Sequence, residues 1–112
     1  MCFGETEWQT SEIIDQQISV NLSGSIRVTK EFLQLARQHK SRIINVTSHC
    51  GLQSLPGLPI YCATKAGLNA FTDALRIDMK KYGVEVLNFI PGSFYGSSNL
   101  GARHAQNVKK MR

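Results

Sequence analysis

Residues 48–65, SHCGLQSLPGLPIYCATK, decide how the rest of this 112-residue chain is read. Tyr61 and Lys65 stand four residues apart at the start of a helical pattern, so their side chains share one face and one turn. A free tyrosine ionises near pH ~10, and a neighbouring ammonium favours the phenolate, which makes a paired tyrosine a plausible acid/base. Just upstream, residues 42–48 read RIINVTS, an apolar, β-branched run expected to form a buried strand and to deliver the Ser48 hydroxyl at its carboxyl end. Ligands bind at that end of strands in open parallel sheets.

Working outward, the breakers Gly51, Pro56, Gly57 and Pro59 predict a loop over 49–60. A helix is expected over 61–82, with Gly83 as its C′ residue. It carries two stripes: Leu68, Phe71, Leu75, Met79 and Tyr82 on one side, and Ala63, Ala66, Ala70, Ala74 and Ile77 on the other. VEVLNFI, residues 84–90, reads as a second strand stopped by Pro91 and Gly92. Strand, helix and strand make a βαβ unit, whose strands are expected to be parallel with a right-handed crossover.

Upstream of that unit, residues 1–10 read as a connection, and Thr10 or Ser11 is the expected N-cap of a long helix over 11–39, with Glu12 in its first turn. One stripe on this helix comprises Ile14, Ile18, Leu22, Ile26, Leu33 and Ala36, and a second Ile13, Val20, Gly24, Val28, Phe32 and Leu35. Two stripes imply burial on two sides, against a sheet and against a neighbour. Asn21 and Gly24 are poor helix formers in mid-pattern and predict a local kink. The fold class is therefore α/β, half of a Rossmann-like doubly wound parallel sheet. Downstream, residues 96–101 read as turn-like and residues 102–112 as polar with a short helix.

Composition narrows the function. Hydrophobic residues at 42% mark an ordinary globular chain with a core. The net charge of +5 comes from dispersed Lys and Arg apart from Arg103, Lys109, Lys110 and Arg112, so a solvated surface is expected in preference to a nucleic-acid site. No apolar run reaches the ~20 residues of a membrane span, and MCFGETEW shows no signal-peptide pattern. Three cysteines without C-x-x-C spacing argue against a disulfide framework and favour a reducing intracellular compartment, cytoplasmic, mitochondrial or associated with the endoplasmic reticulum. His49, Cys50 and Cys62 have no third ligand at a suitable spacing, so no metal is expected. Two glycosylation-type triplets, at Asn21 and Asn45, fall in a packed helix and a buried strand and read as coincidence.

NVTS followed thirteen residues after Ser48 by YCATK, with Asn21 in VNLSG upstream and Pro91 of IPGSF thirty residues past Tyr61, resembles the active-site signature of the short-chain dehydrogenase/reductases. The resemblance runs from about Gly4 to Phe94. It is most similar to the branch holding D-β-hydroxybutyrate dehydrogenase, retinol dehydrogenases and type 2 17β-hydroxysteroid dehydrogenase.

This resemblance implies an NAD- or NADP-dependent oxidoreductase interconverting a secondary alcohol and a ketone. Tyr61 would be the acid/base, and Lys65 would hold the nicotinamide ribose and stabilise the phenolate. Ser48 would bind the reacting substrate oxygen, Asn21 would join a proton relay, and Pro91, Gly92 and Phe94 would border the nicotinamide. The family's threonine five residues after the proline is replaced here by Gly96, with Ser97 or Ser98 as substitutes.

The nine glycines never form the family's T-G-x-x-x-G-x-G turn, and an Asn-Asn-Ala-Gly element is also missing. The expectation is thus the C-terminal, catalytic half of the family's domain, truncated at both ends and inactive alone, whose helices over 11–39 and 61–82 would form a homo-oligomer interface in the complete protein. The contrasting expectation is a non-catalytic interaction or dimerisation module. Hydroxybutyrate, steroid and retinoid substrates are all compatible, and the apolar loop from Leu52 to Ile60 leans toward an apolar one.

Overall fold

The computed structural model describes residues 1–92 and Lys109. In chain order the regular elements are helix α1 (Ser11–Ile18), a π-helical turn (Ser19–Ser23), helix α2 (Gly24–His39), strand β1 (Arg42–Val46), a 3₁₀ turn (His49–Gly51), helix α3 (Pro59–Lys80) and strand β2 (Glu85–Phe89). Phe94, the glycine and serines at 96–98, and the expected C-terminal helix apart from Lys109 lie outside the described residues.

Residues 1–10 do more than connect. They contain a 3₁₀ turn (Thr6–Trp8), bury Cys2, and dock on the loop before α3 through the Gly4 N–H, which donates to Gly57 O at 2.8 Å. Thr10 then caps α1, its Oγ1 accepting from the Ile13 N–H at 3.2 Å. The continuous helix expected over 11–39 is interrupted by the π turn, where the Gly24 N–H reaches back to Ser19 O. This is the kink expected at Asn21 and Gly24, in a defined form: the five-residue reach of a π turn lodges one extra residue in the helix.

Downstream, α2 ends at Lys40, which adopts the left-handed conformation with φ 47°. Arg37 and His39 in its last turn suit the negative end of the helix dipole. The Arg37 guanidinium also stacks 4.1 Å over the Tyr82 ring, tying the end of α2 to the end of α3.

Helix α3 starts two residues earlier than expected, because Pro59, read as a loop breaker, occupies the first helical turn, where a missing N–H costs nothing. It also ends earlier, at Lys80, and the chain turns through Gly83 at φ +70° into β2. Both strands are shorter than expected. They pair in parallel, with Arg42 opposite Glu85 and Val46 opposite Phe89, and the Thr47 N–H adds one more bond to Phe89 O at 2.9 Å.

The core joins Ala36 of α2 and Leu75 and Met79 of α3 to Val84 and Val86, with Leu33, Ile43, Phe71 and Tyr82 packed on it. Among the described residues, only one side of each layer is covered. On the sheet, Ile44, Val46, Leu87 and Phe89 face away from α3 and are exposed. Of the second stripe on the first helical segment, Val20, Val28, Phe32 and Leu35 are exposed, so the two-sided burial expected there is not met within the described residues. The second stripe of α3 is likewise exposed, including Ile77.

Candidate active site

The site lies where β1 ends and α3 begins. Strand β1 runs out at Val46, and Ser48, in extended backbone, caps the following 3₁₀ turn: its Oγ accepts from the Cys50 N–H at 3.2 Å and its carbonyl from the Gly51 N–H at 2.9 Å. Among the described residues the Ser48 hydroxyl has no acceptor, which leaves its proton for a ligand. The turn sits directly on α3, since a Cβ added at Gly51 would lie 2.8 Å from Lys65 O and 2.6 Å from Asn69 Nδ2. Glycine is required there by close approach to backbone, not by its dihedral angles.

Tyr61 and Lys65 share one face of the first turns of α3, as their spacing predicts. Lys65 Nζ sits 5.8 Å from the centroid of the Tyr61 ring and donates to Val46 O at 3.3 Å, so the ammonium spans from the helix to the tip of β1, two residues before Ser48. Partial burial strips water from it and pulls its pKa below the ordinary 10.5. Val46 O is its one hydrogen-bond acceptor among the described residues, which leaves two of its three N–H donors for a ligand.

Asn21 reaches the same place from the π turn. Its Nδ2 donates to Thr64 Oγ1 at 3.2 Å, and the Thr64 hydroxyl donates to Tyr61 O at 2.7 Å. Thr64 is 1% exposed, so this bridge is shielded from competing water. It joins the irregular turn to the residue preceding Lys65. Close by, Gly67 allows contact, as an added Cβ would meet Leu22 Cδ2 at 3.2 Å. Thr64 was not among the residues singled out from sequence. Its position three after Tyr61, where a threonine hydroxyl can bond back to a helix carbonyl, was the available signal.

Pro91 and Gly92 follow β2 at the same edge of the sheet, Pro91 partly buried and Gly92 exposed. Phe94 lies outside the described residues. Asn21 is therefore tied through Thr64 to the helical turn that carries Tyr61 and Lys65, and Ser48 caps the turn that packs against Lys65. Among the described residues no three His, Cys, Asp or Glu side chains gather as metal ligands, and no helix is long and apolar enough to cross a membrane.

Comparison with known proteins gives a consistent result. Residues 2–107 match the family model described as short chain dehydrogenase. The chain is similar to the mitochondrial D-beta-hydroxybutyrate dehydrogenase of Mus musculus, 41% identical over 98 residues that cover 88% of this chain and 29% of that protein. It is also similar to retinol dehydrogenase 7 of Rattus norvegicus, 36% identical over 96% of this chain and 34% of that one. In three dimensions it superposes on the crystal structure of sorbitol-6-phosphate 2-dehydrogenase from Erwinia amylovora with a TM-score of 0.83 and 25% identity, covering 96% of this chain and 43% of that one. The chain thus spans about a third of the length of the curated relatives it matches.

Proposed function

The chain belongs to the short chain dehydrogenase family, and from that premise we propose that it carries the catalytic half of an NAD(P)-dependent oxidoreductase that interconverts a secondary alcohol and a ketone. The carrying observation is the half-buried Lys65 ammonium, held at the tip of β1 within one turn of Tyr61 and against the turn that Ser48 caps.

The donor set fits the ribose end of such a cofactor. A partly desolvated ammonium with two unused N–H groups suits a pair of ribose hydroxyls, and Pro91 and Gly92, which follow β2, would border the nicotinamide. The glycine-rich turn that would hold the pyrophosphate is absent from this sequence, so the fit concerns the nicotinamide end alone. When bound, the cofactor supplies the hydride exchange.

In the direction of oxidation, the Tyr61 oxygen takes the proton of the substrate hydroxyl. The Lys65 charge stabilises the negative charge on that oxygen, while Ser48 donates a hydrogen bond that orients the substrate oxygen. Asn21, through Thr64, fixes the turn of α3 that carries both Tyr61 and Lys65. Hydroxybutyrate, steroid and retinoid-like alcohols form the substrate class, supported by the hydroxybutyrate and retinol dehydrogenases among the relatives.

The test is a chimera in which this chain replaces the matching segment of the mouse hydroxybutyrate dehydrogenase. Alcohol-dependent NADH formation is expected, with a loss of about 10²-fold or more on Tyr61→Phe. A folded, NADH-binding chimera whose activity ignores that substitution would overturn the reading.

A second reading, a non-catalytic pairing module, is favoured by the exposed apolar stripes on α1–α2 and α3. The same faces would form the homo-oligomer contact of a complete protein. NADH titration of the purified 112-residue chain separates the two: saturable binding argues against a mere module, whereas no binding together with association to a full-length relative supports one.

A further inference from the structure

Between α3 and the sheet lies a layer of amides and hydroxyls with no part in the chemistry above. Asn45 Nδ2 donates to Thr72 Oγ1 at 2.9 Å, and Thr72 donates in turn to Leu68 O at 2.8 Å. Lys65 reaches Val46 O, so advancing along β1 from Asn45 means moving back along α3 from Thr72 toward Lys65. Two residues beyond Asn45, on the same strand face, comes Thr47, 2% exposed; nearly one turn before Thr72 comes Asn69, 8% exposed. Asn88 stands beside Asn45 across the strand pair.

Among the described residues, Thr47 Oγ1, both polar atoms of Asn69, and Asn88 Oδ1 are buried with no hydrogen-bond partner. An isolated orphan could be strain, but four such atoms on three neighbouring side chains supply both donors and acceptors. Native structures satisfy clusters of this kind with ordered water, which needs two to four polar partners.

We propose that Thr47 and Asn69, with Asn88 at its edge, form a buried water site beneath the active face that ties the Ser48 turn to α3. The two holders flank the Ser48 turn. Thr47 precedes Ser48 in the chain, and Asn69 Nδ2 would lie 2.6 Å from a Cβ at Gly51, so the amide is the floor on which that turn rests. A water bonded to both locks the strand tip to α3 at the level of Lys65.

The test uses the intact 112-residue chain and requires no catalysis, so its failure is distinct from failure of the oxidoreductase reading. In the ¹⁵N-labelled protein, the Asn69 side-chain NH₂ is expected to show a cross-relaxation signal to a long-lived water, kept in Thr47→Ser and lost in Thr47→Val. Asn69→Leu and Thr47→Val are each expected to lower the thermal midpoint by roughly 4 °C or more. The double variant should lose less than the sum.

A dry cluster gives the opposite pattern. The water signal is then absent from the parent chain, Asn69→Leu raises the midpoint by removing two unsatisfied atoms, and the two substitutions add. Should Asn69→Leu not fold, the Thr47 pair decides alone: loss of the signal in the valine variant with retention in the serine variant supports the site, and any other outcome overturns it.

Discussion

Thr64 shows how much one hydroxyl can carry. It accepts from Asn21 and donates to Tyr61 O while fully buried, so Thr64→Val strips the partly buried Asn21 amide of its acceptor and removes the bond to Tyr61 O. We expect a loss of about 1–3 kcal/mol in urea unfolding, and Thr64→Ser should restore most of it. Lys65 makes a separate, pH-dependent prediction. Burial lowers its pKa in the folded chain relative to the unfolded one, so between the lowered value and 10.5 the unfolded state binds more protons. Stability contributed by this group therefore rises as pH climbs through that window. The burial penalty is fully present only below it, where both states carry the charge. Comparing the alkaline pH dependence of unfolding in the parent chain and Lys65→Met isolates this contribution, and a parent curve that falls relative to the variant would contradict the sign.

At the scale of elements, the π turn sets two effects against each other at Gly24. Intrinsic propensity favours Ala over Gly in a helix by about 1 kcal/mol. A Cβ at Gly24, however, would lie 2.9 Å from Ser19 O, the very carbonyl that its N–H bonds. That neighbour is backbone and cannot swing aside. Gly24→Ala is thus expected to destabilise the chain, read as a lower denaturation midpoint, and a gain in stability would mean the turn relaxes to an ordinary α-helix. The Thr10 cap is simpler. Thr10→Ala removes the acceptor of the Ile13 N–H and should cost about 1 kcal/mol, with Thr10→Ser close to neutral.

For the whole molecule, the uncovered surfaces dominate. Two parallel strands with helices on one side leave Ile44, Val46, Leu87 and Phe89 in water, and the outer faces of α1–α2 and α3 add Val20, Val28, Phe32 and Ile77. Parallel sheets normally bury both faces, and contiguous exposed apolar surface drives association. The 112-residue chain is expected to self-associate with rising concentration in sedimentation experiments, and lysine at positions 44 and 87 together should weaken that association. A parent chain that stays monomeric at high concentration would show these faces to be tolerated.

Sequence alone determined the order and type of the main elements and where the candidate residues stand along them. The β-branched run before Ser48, the four-residue step from Tyr61 to Lys65, and the breakers at Gly83 and Pro91 each act over a few residues, where propensity and periodicity are strong. The kink at Asn21 and Gly24 was legible for the same reason, but its π form was not, because that depends on which carbonyl the Gly24 N–H selects once Asn21 is held by Thr64. Only the tertiary structure decided that Gly51 presses on Lys65 and Asn69, and that one of two apolar stripes on each helical segment stays uncovered among the described residues. Those outcomes turn on contacts between residues far apart in the chain, and a pattern of apolar letters records that a face avoids water without recording what covers it.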